Sequence, residues 1–200
     1  PPGISEVVSY ALPHHSTSSD GVFLFALCYT LINKNMKKIF WFIGLVLAVS
    51  PASTFAAQKQ LQAVADSVVD HASPTRNYNG EMLEVAARNI EKQTFIKFNT
   101  TNEIPRGSTI NRAYLKLYTW GDGCYDGIQS MNVKAVRIIR SWNEGTITWN
   151  NSPDTTTTGM SSHSIPIRED TRYEIWDVTS IVKSWVEQGT PDYGFKLYYY

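Results

Sequence analysis

Tyr114, Lys116, Tyr118 and Trp120 stand at every second position of the run Asn111–Trp120. Alternate residues of an extended strand share a face, so the spacing predicts three rings and an ammonium group in one row. Arg112 extends that row, Tyr125 follows in the loop Gly121–Gly127, and Ala113, Leu115 and Leu117 fall on the opposite face. Rings offer stacking area and cations meet carboxylates. Together Arg112, Tyr114, Lys116, Tyr118, Trp120 and Tyr125 therefore make a candidate surface for an anionic sugar polymer. On pattern alone the same aromatics could instead pack under a helix or between sheets.

Bond-breaking chemistry finds no comparable grouping. His71 and His163 lie far from any Cys/His/Asp cluster of zinc-site spacing, and the sequence has neither a Gly-x-Ser-x-Gly elbow nor a phosphate loop. Glu81 and Glu84 form a carboxylate pair of the kind any sequence offers, so no catalytic residues are expected. Asp122 with Asp126, and Asp66 with Asp70, could face calcium, but neither pair has the ligand density of a calcium loop. No cofactor is expected, and calcium is left without support.

Trp142 and Trp149 bracket Asn143-Glu144-Gly145-Thr146-Ile147-Thr148. Large aromatics in a small domain are usually core, so both are expected to be structural, with Glu144 tethering its own loop.

The elements that must carry these residues are short strands. Period-two runs bounded by turn residues are predicted at 61–69, 82–87, 94–99, 111–120, 132–139, 146–149, 164–168, 172–176 and 194–199. Many short strands of this kind imply two packed antiparallel sheets. One segment departs from the pattern: Ile181, Val182, Trp185 and Val186 have helical spacing ahead of Gly189, predicting a short helix over 178–188 capped by Thr179 or Ser180. The fold class expected is all-β, a jelly-roll-like antiparallel β-sandwich with one short helix, preceded by a signal peptide.

The leader signal lies inside the chain. Met36-Lys37-Lys38, the apolar run Ile39–Val49 and the small-residue stretch Ser50–Ala56 have the order of a secretory signal peptide cut after Ala56. The apolar run is too short for a membrane span, which needs about 20 residues. Residues 1–35 are then expected to be a non-native upstream or disordered segment, 36–56 the leader and 57–200 a single domain. Three of the 18 Lys and Arg and two of the 18 Asp and Glu precede Ala57, so the domain carries a net charge near −1. Nucleic acid is not indicated as a partner, nor is a membrane once the leader is gone. Cys124 is the one cysteine after residue 56, so no disulfide is expected within the domain.

Several stretches together resemble a known family. Ala65–Asp70 with Ser73–Tyr78, Phe95–Phe98, Ile104–Ile110, Ala113–Tyr118, Ser141–Pro153 and Trp176–Thr179 follow the order found in DNRLRE domains, which are similar to alginate-binding carbohydrate-binding modules and to repeats of the archaeal enzyme disaggregatase. The resemblance spans most of 61–197, and its most specific part is the segment from Trp142 to Asn150. Those domains usually run on past the position of Phe195–Tyr200 into one or two more strands. A truncated sequence is the expectation, and the alternative is a strand position open to another chain.

The resemblance implies a secreted or cell-surface, non-catalytic module binding an acidic polysaccharide or cell-surface glycan. The alternatives are a structural repeat or filament subunit that joins neighbouring copies by strand addition and, more distantly, a polysaccharide-degrading enzyme.

Overall fold

Alternating apolar residues become strands wherever one face of the pleat can be buried. A computed structural model describes residues 5–11, 26–29, 42–45, 56–80, 82–86, 91–119, 129–167 and 170–200. The chain divides into two compact units, Pro1–Pro13 with Phe55–Tyr200, and His14–Thr54. In the larger unit lie β1 (Ser5–Ala11), β4 (Ala56–Asp70), β5 (Lys92–Phe98), β6 (Thr109–Thr119), β7 (Ser130–Ile138), β8 (Thr155–Pro166), β9 (Arg172–Asp177) and β10 (Phe195–Tyr199). Two helices, α1 (Thr100–Glu103) and α2 (Thr179–Val186), complete it. The smaller unit contributes β2 (Ala26–Tyr29) and β3 (Phe42–Leu45), which pair antiparallel.

The eight strands of the larger unit are antiparallel in the order β8-β7-β10-β5-β4-β1-β6-β9. β4 belongs to both halves of this array. Its first residues pair with β1, its last with β5, and the register breaks between Ala63 and Ala65 where the sheet turns over. The result is the expected all-β sandwich, its layers joined through one long strand.

Between the layers lies the main core. Leu61, Ile96, Phe98, Ile110, Ala113, Leu115, Val133, Ala135, Phe195 and Leu197 supply strand side chains, while Val178, Ile181, Val182 and Trp185 come from α2 and its approach. Trp176 crosses the gap and donates its indole N–H to the carbonyl of Val133, 2.9 Å away, so a ring of β9 is pinned to β7 of the other layer. A second, smaller cluster lies on the outer side of the β5–β10–β7 layer. There Val69, Phe95, Ile138 and Ile147 are covered by the part-buried Trp142, Trp149 and Tyr193.

Within residues 1–35, Ser5–Ala11 forms β1. Because β1 stands between β4 and β6, neither of those strands has an open edge there. Several expected elements need correction: of 82–87, the described residues 82–86 form no strand, and Ala86 makes an isolated bridge with Lys92. Thr146–Trp149 is a turn running into a 3₁₀ turn at Trp149–Asn151, and β8 begins at Thr155, well before the expected Ser164. A second helix, α1, was not foreseen.

The cap of α2 also differs. Val178 is the N-cap residue, and the Thr179 N–H is satisfied by Asp177 Oδ1 at 3.0 Å, while the Thr179 hydroxyl oxygen accepts the N–H of Ala113 at 2.9 Å. Neither Thr179 nor Ser180 caps the helix; Thr179 fastens it to β6. Gly189 adopts φ 71° just after the helix, as a terminating glycine does.

Most of the expected leader, 36–56, lies outside the described residues. Among the described residues no helix is long and apolar enough to cross a membrane.

Candidate functional site

β6 and β9 lie side by side with Tyr114 opposite Asp177, Lys116 opposite Ile175 and Tyr118 opposite Tyr173. Cross-strand partners share a face. The inward row is Leu115 and Leu117 with Trp176 and Glu174; the outward row is Arg112, Tyr114, Lys116 and Tyr118 with Tyr173, Ile175 and Asp177.

Two of the expected residues meet a third that sequence reasoning missed. The Tyr118 and Tyr173 rings pack edge to face with centroids 5.0 Å apart, and Lys116 Nζ stands 4.0 Å from the centre of the Tyr173 ring. Tyr173 is 47 % exposed and Ile175 46 %, which is high for side chains of that size on a strand. The alternation of Arg172–Trp176 already put Tyr173 and Ile175 on one face. What the sequence did not carry was which strand lies beside them.

Arg112 is exposed, and Tyr114 is half-buried in the same row. Trp120 and Tyr125 lie outside the described residues, as do Cys124, Asp122 and Asp126. Two cations, Arg112 and Lys116, thus share the described face with one carboxylate, Asp177, which already accepts the N–H of Thr179. Among the described residues this face is aromatic and carries two cations to one carboxylate, a set that can stack on rings and pair with anions.

Beneath the plate a buried carboxylate fixes β9. Glu174 is 4 % exposed and lies 2.5 Å from both His163 Nε2 and Arg172 Nε. Arg172 also donates to the carbonyl of Pro166 and to Asp170 Oδ1, while the His163 ring packs edge-on against Trp176 at 5.3 Å. His163 belongs to β8 and Glu174 to β9, so this cluster joins the free margins of the two layers. Buried charge is tolerated here because it is paired and hydrogen-bonded.

The tryptophan segment builds a different feature. Ser141, Trp142, Asn143, Thr146, Ile147 and Asn151 line an open depression of about 360 Å³. Its polar groups are occupied by the loop itself. Asn143 Oδ1 accepts the N–H of Gly145, Asn151 Oδ1 accepts that of Thr148, and Asn151 Nδ2 donates to the Thr146 carbonyl. Trp142 donates its indole N–H to the Tyr193 carbonyl. Glu144 reaches beyond its loop and accepts the N–H of Asp66 on β4 at 3.2 Å. Burial, and then the nearby Glu144 charge, holds the Asp66 carboxyl above the usual range. With no charged side chain lining it, this depression is less suited to an anionic ligand than the β6–β9 face.

Among the described residues no three His, Cys, Asp or Glu side chains gather where they could hold a metal ion. The aromatic and cationic plate is a surface that can bind by stacking and ion pairing.

Comparison with known proteins gives the chain its class. No curated protein matches it. A family model does match, over residues 57–198, taking in every strand of the larger unit from β4 onward, and its description is that of a carbohydrate-binding module. That match covers well over half of the sequence, and the chain belongs to carbohydrate-binding module family 96.

Proposed function

We propose that the chain is a secreted, non-catalytic module that binds an acidic polysaccharide on the outward face of β6 and β9. The observation that carries the reading is the plate of Lys116 over Tyr173 with Tyr118 packed against it. Rings supply a flat apolar surface for the faces of sugar residues, and Lys116 and Arg112 meet uronate carboxylates. Export is supported by the leader-like order of residues 36–56, with Ala57 as the expected first residue of the secreted protein.

The test is calorimetry and affinity electrophoresis against alginate, pectate and neutral glycans. Acidic polymers should bind, and binding should weaken as salt rises, because exposed charge pairs are screened over about 8–10 Å at physiological ionic strength. Tyr173→Ala should weaken binding about tenfold or more, the usual result of truncating an aromatic anchor, while the melting temperature holds. Silence across the panel, or a Tyr173→Ala chain that binds as well as the parent, refutes the assignment.

A further inference from the structure

β10 gives its apolar residues to one side only. Phe195 and Leu197 are buried in the core, so Lys196 and Tyr198 take the opposite face. Tyr198 stands opposite Lys134 of β7, Lys134 opposite Ser162 of β8, and Asn132 opposite Ser164. His163 marks the inward row of β8, since its ring packs against Trp176. These six polar and aromatic residues therefore share the outer face of β8, β7 and β10, on the layer opposite to the one that carries the plate of β6 and β9.

Both lysines of this face lie over rings. Lys134 Nζ is 3.0 Å from the centre of the Tyr200 ring, and Lys196 Nζ is 5.0 Å from that of Tyr198. Among the described residues neither ammonium forms an ion pair, whereas Lys59 and Lys92 are each bonded to a glutamate. Glu91 is the carboxylate whose charge reaches Lys196, and it already accepts a hydrogen bond from Gln93 Nε2 at 2.9 Å. Burial pulls the Lys196 ammonium below its ordinary value by more than Glu91 holds it up, so an arriving carboxylate would favour its charged form. Asn132, Ser162 and Ser164 are exposed and offer an amide and two hydroxyls to the hydroxyl groups of a sugar. Nearer to β5 the same side of the layer is closed, because Trp142, Trp149 and Tyr193 cover Phe95 and Ile138.

We propose that the outer face of β8, β7 and β10, built on Lys134, Lys196 and Tyr198, is a second site for a stretch of carboxylated polysaccharide. The ligand class rests on the reading given for β6 and β9, but the site uses none of the same residues. The two faces point away from each other across a core about 10 Å thick, so one module would hold two polymer chains and cross-link them. Rings and hydroxyls supply contact with the sugars, and the two ammonium groups meet the carboxylates.

The experiment titrates the full chain calorimetrically with a uronic acid tetrasaccharide, which should bind at two sites per chain. Lys134→Gln/Lys196→Gln should weaken one site about tenfold or more and leave the other, and Tyr173→Ala should do the reverse. Light scattering with the intact polymer should show cross-linked complexes for the parent and none for either variant. Lys134→Arg/Lys196→Arg should retain the second site, because the charges remain. Ser162→Glu should weaken it, because a carboxylate then stands opposite Lys134 at an exposed position where packing is undisturbed. One tetrasaccharide per parent chain, with affinity unchanged in Lys134→Gln/Lys196→Gln and in Ser162→Glu, overturns the proposal and leaves the β6–β9 assignment standing. Full binding by Tyr173→Ala that Lys134→Gln/Lys196→Gln abolishes supports this site and overturns the other. A chain that binds no uronate overturns both.

Discussion

Asp192 carries a pH-dependent destabilisation that one substitution should remove. It sits in the turn before β10, where one carboxylate oxygen accepts the N–H of Thr100 at 3.2 Å and the other that of Gly194 at 3.1 Å. Burial outweighs these bonds and the nearby Lys97 charge, and the carboxyl is pushed up from 3.8 to about 6. Between those values the folded chain holds a proton that the unfolded chain has released, so stability falls as pH rises through this window and is lowest above pH 6. The full span is worth about 3 kcal/mol, trimmed to about 2 kcal/mol by solvent reaching a part-buried group. Asp192→Asn keeps one acceptor for Gly194 and carries no charge. Subtracting its stability profile from that of the parent cancels every other titrating group. Urea unfolding between pH 4 and pH 7, followed by tryptophan fluorescence, should show the variant gaining on the parent by about 2 kcal/mol as pH rises across the window. Parallel profiles over that range would show that burial at this turn does not govern Asp192.

Two further perturbations test what holds the plate and its sheet. Gly194 has φ 89°, and a Cβ there would lie 2.2 Å from the carbonyl oxygen of Ile96. Gly194→Ala should lower the unfolding free energy by about 3 kcal/mol or more, read as a drop in urea midpoint at unchanged slope, and a loss under 1 kcal/mol would show that β10 shifts freely against β5. Glu174→Ala leaves Arg172 and His163 around a buried hole and should cost about 3–5 kcal/mol in the same assay, with sugar binding lost to the extent that β9 loosens. A near-neutral result there would mean that the cluster does not hold the two layers together.

How far the sequence could be read depended on whether a signal was local. The alternation of Asn111–Trp120 is local, and it correctly set Ala113 and Leu115 against Tyr114, Lys116 and Tyr118. The helical spacing of Ile181, Val182 and Trp185 is local too, and all three are buried in α2. Tyr173 escaped because its value comes from standing opposite Tyr118, a fact of strand pairing that no single run encodes. Thr146–Trp149 misled for another reason. Its β-branched residues suggest a strand, but Asn143 and Asn151 offer side-chain oxygens to its backbone, which turns instead of pairing. In β8, Gly159 and the serines after it dilute the strand signal of Thr155–Thr158, so only the end of the strand was foreseen.

The buried cluster and the exposed plate are two sides of one constraint. Residues of a strand alternate between faces, so fixing Glu174 inward through His163 and Arg172 fixes Tyr173 and Ile175 outward. A slip of β9 by one residue against β6 would bury Tyr173 and bring the Glu174 carboxylate out beside Lys116, changing both the shape and the charge of the face. Trp176 opposes the same slip, because its indole bond to Val133 can be made only from the inward row. The plate is therefore held by contacts on its far side, and a ligand arriving on the outer face has little left to order there. Such preorganisation reduces the entropy lost on binding, which matters for a shallow surface with few groups to grip a ligand.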